Sequence, residues 1–142
     1  MGPIRSGSLV QIDSRASIAA VDSAHPNDSA PAAAALLRPL TPGRSRDAWV
    51  AVSTAAAQAG VSITVSLYGS LDNSAGSWRL IGQLNNGAPI TPTVPAGGTS
   101  HTNRVAAAFS VPGLLGWPYV YPEVTGTIAA ANTTVAVFGE DH

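Results

Sequence analysis

The chain has 142 residues, no cysteine and a formal net charge of −1. Only 11% of its residues are charged, against about 25% in an average soluble domain, and every basic residue is arginine. The length fits one domain with one core. The missing cysteines exclude disulfide scaffolds, thiolate metal sites and cysteine nucleophiles, and the near-neutral balance argues against a dedicated nucleic-acid binder.

Taken from the N-terminus, Met1–Ser6 shows no apolar h-region, so no signal peptide is expected. Gly2 and Ser6 fit a loose myristoylation pattern, read here as chance because Pro3 follows Gly2 directly. The longest unbroken apolar run, Ala32 to Leu37, is far short of the ~20 residues that span a bilayer, so no membrane partner is expected. Residues 1–46 hold five Arg and three Asp, a net of +2, whereas 47–142 hold two Arg and five acids, a net of −3. The first part is also interrupted by Pro26, Pro31, Pro39, Pro42 and Gly43, which break regular pairing. Residues 1–46 therefore read as an extended N-terminal arm with short strands near Leu9–Ile12 and Ser17–Val21. The Ala32–Leu37 run suits a helical turn or two.

From Trp49 onward the pattern is β. Val61, Ile63, Val65 and Leu67 alternate with Ser62, Thr64, Ser66 and Tyr68, which places the aliphatic residues on one face. Val105, Ala107, Phe109 and Val111 repeat the alternation. Further strand candidates are Ala48–Ala55, Trp78–Leu84, Ile90–Val94, Trp117–Val124 and Thr127–Phe138. Turn residues separate them at Asp72–Gly76, Asn85-Asn86-Gly87, Ala96-Gly97-Gly98 and Pro112-Gly113. Seven or eight short strands without a helical period indicate an all-β sandwich or jelly roll, with 47–142 as its domain.

Chemistry-bearing patterns are sparse. His25, His101 and His142 stand apart, and no metal-ligand spacing is present. His25 lies between Asp22 and Asp28 and reads as a solvated loop histidine. Glu123 and Glu140, the only glutamates, do not form a sequence-level acid pair. No catalytic residue, cofactor site or metal site is expected, and the chain does not read as an enzyme. The most distinctive segment is Gly116–Pro122. Extended, it would set Trp117, Tyr119 and Tyr121 on one side, while Pro118 and Pro122 place it on a sheet edge or outside the sheet. An aromatic row of this kind can cap a core, form a protein interface or stack on a sugar. Trp49 and Trp78 begin alternating runs and read as core. Arg38, Arg44 and Arg46 form the only basic cluster, which is either solvated or suited to an acidic protein surface. Asn27-Asp28-Ser29 and Asn132-Thr133-Thr134 read as chance glycosylation sequons.

Ser66–Asp72, Trp78–Gly87, Arg104–Phe109 and Gly116–Pro122 together resemble the virion β-sandwiches of tailed bacteriophages, closest in kind to the jelly-roll capsid cementing (decoration) proteins of short-tailed phages. The likeness covers about 47–142. It implies a structural protein on the outer surface of an assembled capsid, made in the host cytoplasm and clamping neighbouring major capsid subunits. It also implies a homo-oligomer, a dimer before a trimer. The major capsid protein would be the partner, with Arg38, Arg44, Arg46, Trp117, Tyr119 and Tyr121 as interface candidates. The rival expectation is a carbohydrate- or receptor-binding module of a tail fibre or base plate. It requires Trp117, Tyr119 and Tyr121 to be exposed.

Overall fold

The computed structural model describes residues 9–38, 47–54, 62–91, 106–128 and 133–140. Seven strands are present: β1 Leu9–Ile18, β2 Asp47–Thr54, β3 Ser62–Ser70, β4 Arg79–Gln83, β5 Ala106–Pro112, β6 Tyr119–Thr127 and β7 Thr133–Glu140. They form two antiparallel sheets. Sheet A has the order β1-β7-β2-β5, and sheet B has the order β4-β3-β6. Leu37 adds a single bridge to Val120 on the free edge of β6. With Leu37 counted as a vestigial strand, the pairs β1·β7, Leu37·β6, β2·β5 and β3·β4 are nested about one centre. That nesting is the strand order of a jelly roll.

The core lies between the sheets and follows from the period-two pattern. Val50 and Val52 of β2, Ile63, Val65 and Leu67 of β3, Val120 and Val124 of β6, and Val135 and Val137 of β7 are all buried. Each such side chain contributes roughly 1.5–3 kcal/mol on burial. The Asn85-Asn86-Gly87 turn does carry positive φ at all three residues, but it does not close a hairpin. It loops out and lets Ile90 rejoin the sheet beside Ile63. Of the expected strand at 90–94, only this bridge lies within the described residues. The expected strand at Ser17–Val21 is absent, since β1 ends at Ile18. The Ala32–Leu37 run makes one 3-10 turn, Ala33–Ala35.

The expected extended arm is corrected over its described part. Residues 9–38 are built into the sandwich. β1 pairs with β7 from Leu9 to Ile18, and Ile18, Leu36 and Leu37 are buried. The segment after β1 crosses to sheet B and closes the free edge of β6. The Val120 N–H donates to the Leu37 C=O at 3.2 Å, and the Leu37 N–H donates back at 2.8 Å. The Asp22 N–H donates to the Val124 C=O at 2.9 Å, and the Val124 N–H donates to Asp22 Oδ2 at 2.8 Å. Between these two anchor points stands Pro122, which has no N–H to satisfy, and its C=O accepts from Arg15 Nη1 at 2.9 Å. Of the two placements expected for Pro122, the sheet edge therefore holds, because the missing donor falls on the outward side of an edge strand.

Candidate functional site

The aromatic row does not form. Trp117 precedes β6, follows a 3-10 turn at Leu114–Gly116, and packs against the main core. Its ring occupies the space a side chain at Gly69 would need, so the glycine is there to admit the indole. Tyr119 and Tyr121 lie on the opposite, outer face of sheet B. Tyr121 is buried with Leu36 and Trp78, and Tyr119 packs against that group. The period-two expectation fails because β6 begins only at Tyr119, after the turn and Pro118 have broken the alternation. Arg38 is exposed, and its backbone N–H donates to Asp13 Oδ2 at 2.8 Å. Arg44 and Arg46 lie outside the described residues.

The outer face of sheet B carries a polar cluster that the residue pattern did not reveal. Arg15 of β1 forms a two-point ion pair with Asp22, Nη2 to Oδ1 at 2.7 Å and Nη1 to Oδ2 at 2.9 Å. The Arg15 guanidinium also lies 5.3 Å from the Tyr121 ring centroid, within cation–π range. Burial alone would raise the Asp22 carboxyl. Hydrogen bonds from Arg15, Tyr121 and the Val124 N–H outweigh it and hold the group below the usual carboxylate range. His25 is half-buried rather than solvated. Its Nδ1 accepts from the Asn27 N–H at 3.1 Å, which leaves Nε2 to donate to Tyr68 Oη at 3.1 Å. Asn27 in turn grips the backbone of Trp78, accepting its N–H at 2.8 Å and donating to its C=O at 3.1 Å. Trp78 is core, as expected, and is 1% exposed. The cluster therefore fastens the 22–36 segment over sheet B. Its links to sheet B join residues more than 40 positions apart, so no local spacing announces them.

Glu123 sits on the same face, opposite Ser66 in register, and is only 8% exposed. Burial raises its carboxyl, His25 opposes the shift, and Asp22 adds to it. A raised acid pKa means that the folded state holds a proton the unfolded chain releases. Stability is then lost as pH rises through that window. Glu123→Gln is expected to show a higher urea midpoint than wild type at pH 7, with the two converging below about pH 4. A lower midpoint for Glu123→Gln at pH 7 would show that the carboxylate is held by attraction instead.

Sheet A presents the contrasting surface. Its inner positions fill the core, and its outer positions are Gln11 and Ser14 of β1, Phe138, Ala136 and Thr134 of β7, Trp49, Ala51 and Ser53 of β2, and Ser110 of β5. None of these is ionisable, and the same register puts Asp47 of β2 and Glu140 of β7 at one end of the face. Trp49 stands opposite Phe138 on one side and Ser110 on the other. It is 37% exposed and belongs to neither buried cluster. This corrects the expectation that Trp49 is core: it falls on the outer set of β2, one residue out of phase with Ala48, Val50 and Val52. Among the described residues, no group of three or more His, Asp or Glu is placed to share a metal ion. No helix among them is long and apolar enough to cross a membrane.

Comparison of the chain with protein-family models, with curated proteins and with solved structures finds no match.

Proposed function

We propose that this protein is a structural docking module, without enzymatic activity, that seats on the outer surface of an assembled tailed-phage capsid and clamps neighbouring major capsid subunits. The observation that carries the reading is the outer face of sheet A. Among the described side chains its central part is uncharged and sets a tryptophan and a phenylalanine side by side, with Asp47 and Glu140 at one end of the face by register. Such a central patch loses little by dehydration, because no charge within it has to be stripped of water. Aromatic side chains at the centre of a patch commonly supply most of its binding energy. The opposite sheet supports the reading by contrast, since its outer face is covered by the chain itself. The resemblance of 47–142 to virion sandwiches points to the same partner. Binding only to the assembled lattice would stabilise that lattice by mass action.

The rival sugar-binding reading was motivated by an exposed row of Trp117, Tyr119 and Tyr121. With Tyr121 buried and Trp117 against Gly69, no stacking platform is formed by these residues.

Co-sedimentation with shells assembled from the major capsid protein tests the proposal. Wild-type protein is expected to pellet with shells. Trp49→Arg is expected to bind roughly thirtyfold more weakly, because a central aromatic is replaced by an unpaired charge. Leu71→Arg, on an exposed turn, should bind as wild type. No pelleting by wild type, or equal binding by Trp49→Arg, overturns the proposal.

A further inference from the structure

The segment that crosses to sheet B roofs over an acid. Glu123 of β6 is buried, and the ionisable groups nearest to it come from two other elements. The crossing segment supplies Asp22 and His25, and β3 supplies Tyr68. Arg15 of β1 and Tyr121 of β6 stand one step further out, against Asp22. From β4, Arg79 is turned to the Gly76 and Trp78 carbonyls. The neutral Gln83 donates to Ser66 Oγ at 3.2 Å, and Ser66 is the register partner of Glu123.

The neighbours of Glu123 are committed elsewhere. Both Asp22 oxygens bind Arg15, and Oδ2 also accepts the Val124 N–H. His25 accepts the Asn27 N–H at Nδ1 and donates to Tyr68 Oη from Nε2. An imidazolium has no acceptor nitrogen, so charging His25 to pair with Glu123 would cost the Asn27 contact. Among the described residues, no hydrogen bond reaches the Glu123 carboxyl. A covered carboxylate without donors is relieved by taking up a proton or by meeting water. The sheet closes one side of it, so water enters where the crossing segment lifts. That segment is held by the Leu37 bridge to Val120, the Asp22 contacts with Val124 and the Asn27 clamp on Trp78. Opening these few contacts costs less than unfolding the core between the sheets.

We propose that Glu123 is the proton-binding site of a latch: with its proton in place, residues 22–37 lie closed over sheet B, and with the proton gone the segment lifts to let water reach the carboxylate. Lifting would part Leu36 from Trp78 and Tyr121, which are buried together. Burial raises the Glu123 carboxyl above its ordinary 4.5 in the closed form. The closed form therefore has its full advantage below 4.5 and loses it as pH rises through the raised value. Asp22 sets the acid limit. It is held below its ordinary 3.8, and its hold on the segment is lost as pH falls through the lowered value. The latch is tightest in the mildly acidic interval between the two. It stands independently of the capsid reading, because it acts on the sheet opposite the neutral face.

Amide hydrogen exchange of the intact protein at about pH 5 and about pH 8, corrected for intrinsic rates, tests the latch. The reporters are the N–H groups of Asp22, Asn27, Leu37 and Trp78, which hold the segment down. Their protection is expected to fall about fivefold or more at the higher pH, while Val50 and Val137 of sheet A keep theirs. In Glu123→Gln, whose side chain is neutral at both pH values, the reporters are expected to stay protected throughout. The carbon-13 resonance of the Glu123 carboxyl in wild-type protein provides a reading that needs no variant, and it should titrate above 4.5. Equal reporter protection at both pH values overturns the proposal. So does a fall shared by Val50 and Val137, the same fall in Glu123→Gln, or a carboxyl midpoint at or below 4.5.

Discussion

A chain lacking residues 1–40 is expected not to fold. The deletion removes the ten-residue edge strand β1 from sheet A and uncovers the β6 edge of sheet B. It also removes Ile18, Leu36 and Leu37 from buried positions. Three buried aliphatic side chains contribute roughly 5–9 kcal/mol together at 1.5–3 kcal/mol each. Typical total stability is only about 5–15 kcal/mol, so their loss alone is enough to abolish a cooperative transition. The measurement is urea unfolding followed by near-UV circular dichroism. A truncated chain that unfolds cooperatively near the wild-type midpoint would show that residues 9–38 are an appendage after all. The distinction matters for function, because an arm that can be deleted cleanly could be the gripping element, whereas a segment needed for folding cannot be assigned that role by deletion.

The second large effect is expected at the Arg15–Asp22 staple. Arg15 is the single side chain that links β1 of sheet A to the Pro122 carbonyl of sheet B. It is also the ion-pair partner of Asp22, with side chains 15% and 11% exposed. Removing one member of a buried pair costs about 3–5 kcal/mol. Residual solvent contact places Arg15→Ala at the lower end, about 3 kcal/mol. Urea denaturation at pH 7 measures it, and a loss below about 1 kcal/mol would mark the pair as a solvated surface bridge. The double variant with Asp22→Ala should lose less than the two single losses added, since the residues share one interaction.

The pH dependence separates Asp22 from Glu123. Asp22 is held below its ordinary pKa of 3.8 in the folded state, so the unfolded chain binds its proton first. The stability it contributes is fully present above the unfolded pKa and is lost as pH falls through the folded one. Arg15→Ala should therefore lose less stability than wild type between neutral and strongly acidic pH. Glu123 runs in the opposite sense, being raised.

How much of this was legible in the residues depended on the range of the interaction. Alternation in Val61–Tyr68 and Val105–Val111 is a local property of a strand with one buried face. It was enough to read an all-β sandwich, whereas the two prolines left the Gly116–Pro122 segment either on a sheet edge or outside the sheet; Pro122 lies in the edge strand β6 and Pro118 precedes it. The same logic misled at both ends of the aromatic segment, because a 3-10 turn before Tyr119 resets the phase and sends Trp117 inward while the tyrosines face out. Trp49 and Trp78 were read alike from their neighbours. Trp78 is buried because Asn27, 51 residues away, clamps its backbone under a loop, and Trp49 is exposed because no described segment crosses that face.

The low charge that marked the chain at the outset has an address in the fold. The sequence by itself determined the class, the Asn85–Gly87 turn and the scarcity of charge. Each of these rests on composition or on the geometry of adjacent residues. Only the tertiary structure decided that residues 9–38 belong to the sandwich, that Arg15 meets Asp22 and Pro122, and that the neutral positions of β1, β2, β5 and β7 gather on one outer face. Those contacts join residues up to about a hundred positions apart, and no local pattern encodes which distant strand a given strand will meet.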